Sequence, residues 1–313
     1  MPGYTPGMSA LLPPEAPQDW IIPPGYAAGA PVPWWVKFGV KLVLGALPVP
    51  PRFWRAIGLR RHSFGARDAA RLVAPLAAHA RLFQDRTGRP PRGVLELGPG
   101  AMVSRAPVAA ALGFGPIWYL DVEDDAPRDL APYIQAAEAA RAAGLTPPDL
   151  SACTTREAVL AACGARYLVG GTAALAAIPP GSVDLVFSEV VLEHVRRDAL
   201  APLLAALAGV MAPDGLGLHS VDFHDHLGGA LRHLNFAPEF WEGRAVGRAA
   251  LYCNRLGLSE VLERFASAGQ SPSVTSRGLW AEAPVHGRGP HPALGRRAED
   301  ARVAFAIIEA RHA

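Results

Sequence analysis

The stretch Val94-Leu95-Glu96-Leu97-Gly98-Pro99-Gly100 places the strongest constraint on how this chain folds. It predicts a short buried strand that ends in a carboxylate and a tight glycine turn. A helix-compatible run, Ser104 to Leu112, follows and stops at Gly113. Strand, glycine turn and helix in this order form a ligand cradle at the carboxyl ends of the strands of an α/β sheet. Gly98 and Gly100 suit such a turn because glycine adopts backbone angles closed to other residues and has no side chain to hold a ligand off.

Strands and helices alternate along the chain around this turn. The predicted strands span residues 94–97, 117–120, 166–169, 183–188, 216–223, 273–279 and 302–309. Predicted helices cover residues 68–85, 104–112, 130–143, 200–211 and 258–265, and the capping-box pattern of Thr154 and Glu157 opens one more. The turn Pro213-Asp214-Gly215 is expected to separate a helix from the fifth strand. This alternation indicates a doubly wound, mostly parallel α/β sheet with helices on both faces.

The composition argues against several kinds of protein. Thirty basic and 28 acidic residues give a net charge of +2, so no global attraction to nucleic acid is implied. Cys153, Cys163 and Cys253 form no CxxC pair, which argues for a reducing compartment and against a cysteine metal site. The first 20 residues lack the basic start and apolar core of a signal peptide, and no apolar run reaches the roughly 18 residues of a spanning helix. A cytoplasmic location is therefore expected.

Residues 1–67 are expected to form an extension to a domain that spans residues 68–313. Up to residue 33 the chain is rich in proline and glycine, and no regular element is expected there. The run from Trp34 to Leu44 is apolar and aromatic, and between Trp20 and Arg67 there are seven Lys or Arg and no Asp or Glu. This pattern fits peripheral membrane contact through residues 34–61, a helix packed on its own domain, or a surface that meets an anionic substrate.

The residues at the glycine turn narrow the choice of ligand. The phosphate-loop pattern ending in Gly-Lys-Ser/Thr is absent, and Val103 replaces the third glycine of a dinucleotide fingerprint, which argues against a nicotinamide oxidoreductase. Glu96 suits a ligand that carries an ammonium and a sulfonium better than it suits a pyrophosphate, although it could instead neutralise a neighbouring arginine. An acid ending the next strand can accept both ribose hydroxyl hydrogens. Asp121 is best placed and Glu123 is second, unless they belong to a solvated acidic loop.

Four segments, taken in order, resemble the class I S-adenosylmethionine-dependent methyltransferases. They are Val94 to Gly100, the acid at Asp121, Val183-Asp-Leu-Val-Phe-Ser-Glu-Val-Val-Leu-Glu-His194, and Pro213-Asp214-Gly215. The resemblance covers about residues 90–312. It implies a Rossmann-like, seven-stranded sheet whose last strand is antiparallel, and S-adenosyl-L-methionine as the cofactor.

The same resemblance implies roles for individual residues. The methionine side of the cofactor would be lined by Glu96, Gly98, Pro99 and Gly100, and its ribose would contact Asp121. Ser188 and Glu189 would flank the reacting methyl group. After the third strand the chain departs from the family, because Gly170-Gly171-Thr172-Ala173 stands where many members have an acidic or amide residue for adenine. Thr172 or a backbone amide would have to make that contact.

A second polar cluster follows the fifth strand, at the sheet edge that faces the ligand crevice. Its candidates for catalysis are Asp222, His224, Asp225 and His226. An imidazole here can take a proton from a hydroxyl as the methyl group arrives, and an adjacent carboxylate can orient it. In an extended chain Asp222, His224 and His226 share one side, so a metal site is an alternative, as is a plain loop cluster bonded to backbone. No metal is predicted, because methyl transfer needs none.

These features predict an enzyme that transfers a methyl group to an oxygen, in preference to a nitrogen, of a small molecule or glycan precursor. Residues 224–255, with Gly228, Gly229, Gly243 and Gly247, are expected to form a lid over the acceptor. The alternative is a non-catalytic module that binds the cofactor or serves as a membrane-recruited partner. The sequence leaves the oligomeric state open.

Overall fold

The computed structural model describes residues 19–22, 33–46, 69–228, 230–248, 251–284, 289–295 and 297–313. Its described strands form one sheet of eight. They are β1 (Asp19–Ile21), β2 (Val94–Leu97), β3 (Ile117–Asp121), β4 (Ala165–Val169), β5 (Val183–Glu189), β6 (Met211–Asp222), β7 (Gln270–Leu279) and β8 (Val303–His312).

The strands lie in the order β1-β7-β8-β6-β5-β2-β3-β4. Strands β2 to β6 pair in parallel, and β8 is antiparallel to both of its neighbours, β6 and β7. The predicted doubly wound sheet with an antiparallel last strand is therefore confirmed. Between β2 and its neighbours the strand order reverses, because β3 and β4 lie on one side and β5 and β6 on the other. In such sheets the crevice above this reversal is where ligands bind.

The eighth strand, β1, was not predicted. It comes from the proline- and glycine-rich segment in which no regular element was expected, so that prediction is wrong for Asp19–Ile21. The strand pairs in parallel with the edge strand β7, and Arg277 on β7 binds the Asp19 carboxylate at 2.7 Å. Ile22 packs with Leu231, Leu234 and Trp280. A short segment without proline can become a strand when it meets an open sheet edge and an apolar contact. Both come from residues distant in the sequence, so local sequence does not reveal them.

The described helices flank the sheet. They are α1 (Trp34–Ala46), α2 (Ala69–Thr87), α3 (Ala106–Ala111), α4 (Ala131–Ala142), α5 (Arg156–Ala162), α6 (Arg197–Val210), α7 (Pro238–Trp241), α8 (Arg244–Arg248) and α9 (Leu258–Ser267). A 3-10 helix, Gly100–Arg105, follows the glycine turn and leads into α3. No helix among the described residues is both long and apolar enough to cross a membrane.

The sheet divides two apolar cores, and alternation along the strands assigns each side chain to one of them. On β2, Leu95 and Leu97 belong to the core under α6 and α9, whereas Val94 belongs to the core under α2, α3 and α4. Because successive side chains point to opposite faces, Glu96 shares the side of Val94. A carboxylate on that side is surrounded by apolar groups and needs a partner.

Two boundaries differ from the sequence prediction. Strand β6 begins at Met211, so the expected turn Pro213-Asp214-Gly215 lies inside the strand, at an irregular register with β5. A Cβ on Gly215 would lie 2.8 Å from the carbonyl oxygen of Ala212, which explains the glycine by close packing. Helix α5 is capped by Thr155 and not by Thr154, since the Thr155 hydroxyl accepts a hydrogen bond from the Ala158 N–H at 3.1 Å.

Helix α1 packs on the domain through its aromatic side. Trp34, Phe38 and Leu42 join a third apolar cluster, which contains Trp241 of α7. The rings of Phe38 and Trp241 stack with centroids 6.3 Å apart, and Phe38 also contacts Phe236 at 5.0 Å. The interpretation of this segment as a helix packed on its own domain is therefore confirmed for the side that carries Trp34, Phe38 and Leu42. Of the predicted membrane segment 34–61, residues 47–61 lie outside the described residues.

Candidate functional site

The glycine turn after β2 combines one tightly packed glycine with one open glycine. Both Gly98 and Gly100 have positive φ, +66° and +51°. A Cβ on Gly98 would lie 2.7 Å from Cγ2 of Val191, whereas a Cβ on Gly100 would meet no atom within 4 Å. Gly98 is therefore required by the fold, and Gly100 leaves the outer side of the turn open to a ligand.

Asp121 meets this turn at the end of the neighbouring strand β3. Its Oδ2 accepts a hydrogen bond from the Gly100 N–H at 2.9 Å, and its Oδ1 accepts one from the Val122 N–H at 2.8 Å. Burial raises the pKa of Asp121, against the lowering effect of these backbone donors. The structure thus brings together the glycine turn and the acid that the sequence paired for cofactor binding.

Glu96 is paired with an arginine that the sequence analysis did not identify. Arg105, at the end of the 3-10 helix, is 1% exposed, and its Nη2 lies 2.6 Å from Oε1 of Glu96. Its Nη1 lies 3.6 Å from Oε2 of Glu189. Burial raises the pKa of Glu96, and the arginine charge opposes that rise. Glu96 therefore pairs with an arginine, which was the alternative to ligand binding. Contact of Glu96 with a ligand stays a prediction.

Glu123 and Thr172 lie beyond the ends of β3 and β4. The carbonyl of Glu123 accepts a hydrogen bond from the Tyr167 hydroxyl at 2.8 Å, so the backbone there is anchored while the side chain faces solvent. Thr172, which is exposed, comes two residues after Gly170, whose N–H donates to the carbonyl of Asp121 at 2.9 Å. The ends of β3 and β4 therefore lie side by side, as an adenine and ribose site requires. The roles of Glu123 and Thr172 stay predictions.

Ser188 is buried between β5 and β6. Its Oγ lies 2.9 Å from Nδ1 of His219, the residue opposite it in the strand register. Both side chains are 1% exposed, and burial lowers the pKa of His219 to about 3. The imidazole is consequently neutral at physiological pH and joins the two strands by a hydrogen bond. This role of Ser188 differs from the one that the resemblance implied, and its contact with a methyl group stays a prediction.

On the acceptor side, the partly buried Asp222 and the buried His224 form a hydrogen-bonded pair. Asp222 Oδ1 accepts a hydrogen bond from the His224 backbone N–H at 2.7 Å and also bonds His224 Nδ1. Burial alone would raise the pKa of Asp222, but the hydrogen bonds from His224 outweigh it and the pKa is lowered. In a neutral imidazole, this ionised carboxylate holds the proton on Nδ1, so that the lone pair lies on Nε2. A carboxylate that orients an imidazole is the arrangement predicted for a base.

Asp225 shapes the loop that follows β6. Its Oδ1 accepts hydrogen bonds from the N–H groups of Leu227 at 3.0 Å and Gly228 at 2.7 Å, and its Oδ2 accepts one from Arg232 at 2.7 Å. Strand geometry ends at Asp222, so the expected alternation through His224 to His226 is wrong. The chain bends there because these donors are satisfied by one side chain and not by a neighbouring strand.

His226 lies on the bend and stacks on a histidine from another segment. Its ring centroid is 4.9 Å from that of His194, at an interplanar angle of 18°. Burial, and then the charge of His194, lower the pKa of His226 to about 4. His226 is thus neutral at physiological pH, and its low pKa makes it a weak base. Within the described ranges, no three His, Cys, Asp or Glu side chains group as a metal site.

Glu193 is a further buried acid that the sequence analysis quoted only within a motif. It is 4% exposed and lines a small cavity together with Asp222, His224 and Asn254. Burial, and then the charge of Asp222, raise the pKa of Glu193 well above its usual value. The Asn254 side chain donates to the carbonyl of Leu192 at 2.8 Å and so fixes the segment that carries Glu193. In the sequence, the run Leu192-Glu193-His194 is the feature that could have pointed to Glu193.

The sequence matches no protein-family model and no curated protein. Solved structures do resemble the fold. One is the trans-methyltransferase CalH in complex with S-adenosylhomocysteine, 15% identical, with 90% of this chain and 66% of that chain covered and a TM-score of 0.46. This chain thus spans about two thirds of the length of CalH.

Two other similar structures come from Burkholderia thailandensis. One is an O-methyltransferase family protein that is 12% identical to this chain, with a TM-score of 0.45. The match covers 90% of this chain and 68% of that protein. The 1,6-didemethyltoxoflavin N1-methyltransferase, with its substrate and S-adenosylhomocysteine bound, is 14% identical, covers 85% of this chain and 92% of its own, and has a TM-score of 0.40. The sheet of this chain, parallel apart from its antiparallel last strand, is the fold that the resemblance to class I methyltransferases implied.

Proposed function

We propose that this protein is an S-adenosyl-L-methionine-dependent methyltransferase. The observation that carries the proposal is the hydrogen bond between the Gly100 N–H and the Asp121 carboxylate, at the point where the strand order reverses. An acid and a glycine turn at that place suit a nucleoside whose sugar hydroxyls need acceptors and whose bulk needs an open backbone.

The residues present fit that cofactor. Gly100 leaves space where another residue would have a side chain. Each carboxylate oxygen of Asp121 accepts a backbone N–H and retains acceptor capacity for a ribose hydroxyl. The exposed Thr172 and the neighbouring backbone at the end of β4 supply polar groups for adenine. The negative charge of Glu189 attracts an ammonium and a sulfonium, although Arg105 partly offsets it. Burial raises the pKa of Glu96 to about 7, so Glu96 adds less negative charge.

The bound cofactor supplies an electrophilic methyl group on sulfur. What the chain adds is positioning of the acceptor and a base to take its proton. His224, oriented by Asp222, is the first choice of base, and the neutral His226 is the second. A hydroxyl must lose a proton as it is methylated, so a neutral imidazole favours an oxygen acceptor over an already neutral amine.

The acceptor in this proposal is a small molecule or a glycan precursor, and the enzyme works in the cytoplasm. Residues 224–255 are proposed as a lid that excludes water from the reacting groups. Trp241 and Leu251 form the apolar interior of this segment, and Trp241 Nε1 donates to the carbonyl of Cys253 at 2.9 Å. Gly229 of the proposed lid lies outside the described residues. The free thiols of the buried Cys163 and Cys253 agree with a reducing compartment.

Calorimetry with S-adenosylhomocysteine tests the cofactor assignment. Asp121→Asn should weaken binding about tenfold or more, because a neutral amide replaces the ionised acceptor of the ribose hydroxyls. Glu138→Gln, which removes one exposed charge on α4, is the matched control and should bind like the wild type. If the wild type gives no heat at millimolar ligand, the proposal is wrong.

A metabolite screen with labelled methyl donor tests the reaction. Once an acceptor is found, His224→Gln should lower turnover by about 10²-fold or more, since removal of a general base costs this much, while S-adenosylhomocysteine binding is retained. The non-catalytic alternative predicts retained cofactor binding, no labelled product from any acceptor, and no effect of His224→Gln in cells.

A further inference from the structure

The side of helix α1 that faces away from the domain is apolar. Trp34, Phe38 and Leu42 pack inward, but Trp35 and Val43 are each 63% exposed and Val40 is 52% exposed. At 100° per residue, Trp35, Gly39, Val40 and Val43 occupy one continuous arc, which we name the outer face of α1. Phe240 of α7, 43% exposed, contacts Phe38 at 6.2 Å and lies beside the helix.

The outer face carries no charged side chain. A surface helix of a globular protein normally turns polar and charged residues to solvent. The charged residues of α1 are Lys37 and Lys41, one turn apart and both partly buried. Burial lowers the pKa of Lys37, against the attraction of Asp225, so this lysine is turned towards the domain. The outer face of α1 is therefore an exposed apolar surface and not a surface of solvated basic residues.

The charge of the surrounding sequence indicates what covers this face. Between Trp20 and Arg67 the chain contains no acidic residue, and its basic residues are Lys37, Lys41, Arg52, Arg55, Arg60, Arg61 and Arg67. A second copy of the chain docked on the same face would bring two such basic segments together, which costs energy. An anionic lipid surface attracts them instead.

The length of the helix fixes how it can meet a bilayer. Thirteen residues rise about 20 Å, which is too short to cross the roughly 30 Å hydrocarbon core. A helix of this length with one apolar side lies in the plane of the interface. Tryptophan is favoured at that depth because its ring is apolar and its N–H remains hydrated.

We propose that the outer face of α1 docks on an anionic lipid bilayer, with Trp35, Val40 and Val43 entering the interface. The domain covers the inner side of the helix and the lipid covers the outer side, and the net positive charge of the sequence between Trp20 and Arg67 favours anionic over neutral headgroups. The proposal does not depend on methyl transfer, since docking needs neither cofactor nor acceptor.

Sedimentation of the full chain with vesicles tests this proposal. The wild type should pellet with vesicles of phosphatidylglycerol and phosphatidylcholine, and at least about tenfold less with phosphatidylcholine alone or in roughly 0.5 M NaCl, because screening removes the charge attraction. The combined variant Trp35→Ser, Val40→Ser and Val43→Ser should lose at least about tenfold in vesicle affinity, because it removes the apolar area that enters the interface. The matched control, Val122→Ser with Ile134→Ser and Val169→Ser, removes three exposed apolar side chains elsewhere and should bind like the wild type.

Three outcomes would overturn the proposal. The first is a wild type that stays in the supernatant with every vesicle composition. The second is equal loss of binding in the α1 variant and in the control. The third is a wild type that binds no vesicles but is a dimer in sedimentation equilibrium, while the α1 variant is a monomer. That result would assign the outer face of α1 to contact with a second copy of the chain. If the triple variant fails to fold, Trp35→Ser alone, at an exposed position, serves for the same comparison.

Discussion

Single residues at the turn after β2 have little freedom to change, and Gly98 has the least. Its φ of +66° and its contact with Val191 each exclude a side chain. Gly113, by contrast, has a φ of +85°, and a Cβ added there would meet no atom within 4 Å. A comparison of substitutions at the two glycines therefore separates the free-energy cost of the positive φ from that of the contact with Val191.

Replacing Gly98 by alanine should destabilise the protein more than the same change at Gly113. The left-handed angle costs about 1–2 kcal/mol at either position, and overpacking against Val191 adds about 1–3 kcal/mol at Gly98 alone. Urea unfolding of Gly98→Ala and Gly113→Ala measures the difference. Equal loss in the two variants would show that Val191 moves aside without cost.

His219 should make the protein less stable as the solution becomes acidic. Its folded pKa of about 3 lies below the unfolded value of about 6.5, so the unfolded chain binds the proton and the native protein does not. The stabilisation is complete above about pH 6.5 and is lost as pH falls towards 3. Between about pH 7 and pH 5 this residue alone contributes a loss of about 2 kcal/mol.

The variant His219→Gln should remove that part of the pH dependence. Denaturant unfolding at the two ends of this pH interval gives both slopes, and the variant should lose less stability than the wild type. His312→Gln changes an exposed histidine at the end of β8 and should retain the wild-type slope. A variant slope identical to the wild type would mean that His219 binds its proton equally well in the native and the unfolded state.

At the scale of elements, the loop after β6 depends on one carboxylate. Three N–H groups of the loop, from Leu227, Gly228 and Arg232, donate to Asp225, and the Asp225 N–H donates to the Ala230 carbonyl at 2.8 Å. This loop connects the Asp222–His224 pair to the packed cluster around Trp241. A change at Asp225 therefore acts on the position of the whole loop and not only on chemistry at that residue.

Asp225→Ala should lower the free energy of unfolding by about 2–4 kcal/mol and should open the loop to proteolysis. Several donors lose a charged acceptor at once, and each such hydrogen bond contributes about 1.5–3 kcal/mol without strict additivity. Limited proteolysis and urea unfolding provide the readouts. The control Asp198→Ala removes an exposed carboxylate at the start of α6 and should change neither. Wild-type protease resistance in Asp225→Ala would rule out this structural role.

At the scale of the whole molecule, cofactor binding should appear as added thermal stability. A ligand that binds only the native state at about 100 times its Kd stabilises by about 2.7 kcal/mol. S-adenosylhomocysteine should therefore raise Tm by several degrees, whereas NAD at the same concentration should leave it unchanged because Val103 replaces the third glycine of a dinucleotide site. Differential scanning calorimetry measures both. A shift with NAD and none with S-adenosylhomocysteine would reverse the cofactor assignment.

Local patterns were sufficient to predict the sheet, the glycine turn after β2 and the acid that lies beside that turn. Runs such as Val183 to Ser188 are apolar over the length of a buried strand, and Gly98-Pro99-Gly100 followed by a helical segment identified the turn. Asp121 could be placed because it follows the next strand, and the carboxyl ends of adjacent parallel strands meet at one edge. The aromatic run from Trp34 was compatible with a packed helix, but the structure was needed to show which side of that helix packs on the domain.

Contacts that form only when the elements pack together decided the rest. The sequence by itself determined the alternation of strands and helices, the glycine turn and the acid beside it, because these follow from backbone angles and from apolar residues at fixed spacing. Only the tertiary structure decided that Glu96 meets Arg105, that Ser188 meets His219 across two strands, and that residues 19–21 add an eighth strand. A local pattern contains no information on which partner a buried charge or an open sheet edge will find, since those pairings arise only when the layers pack.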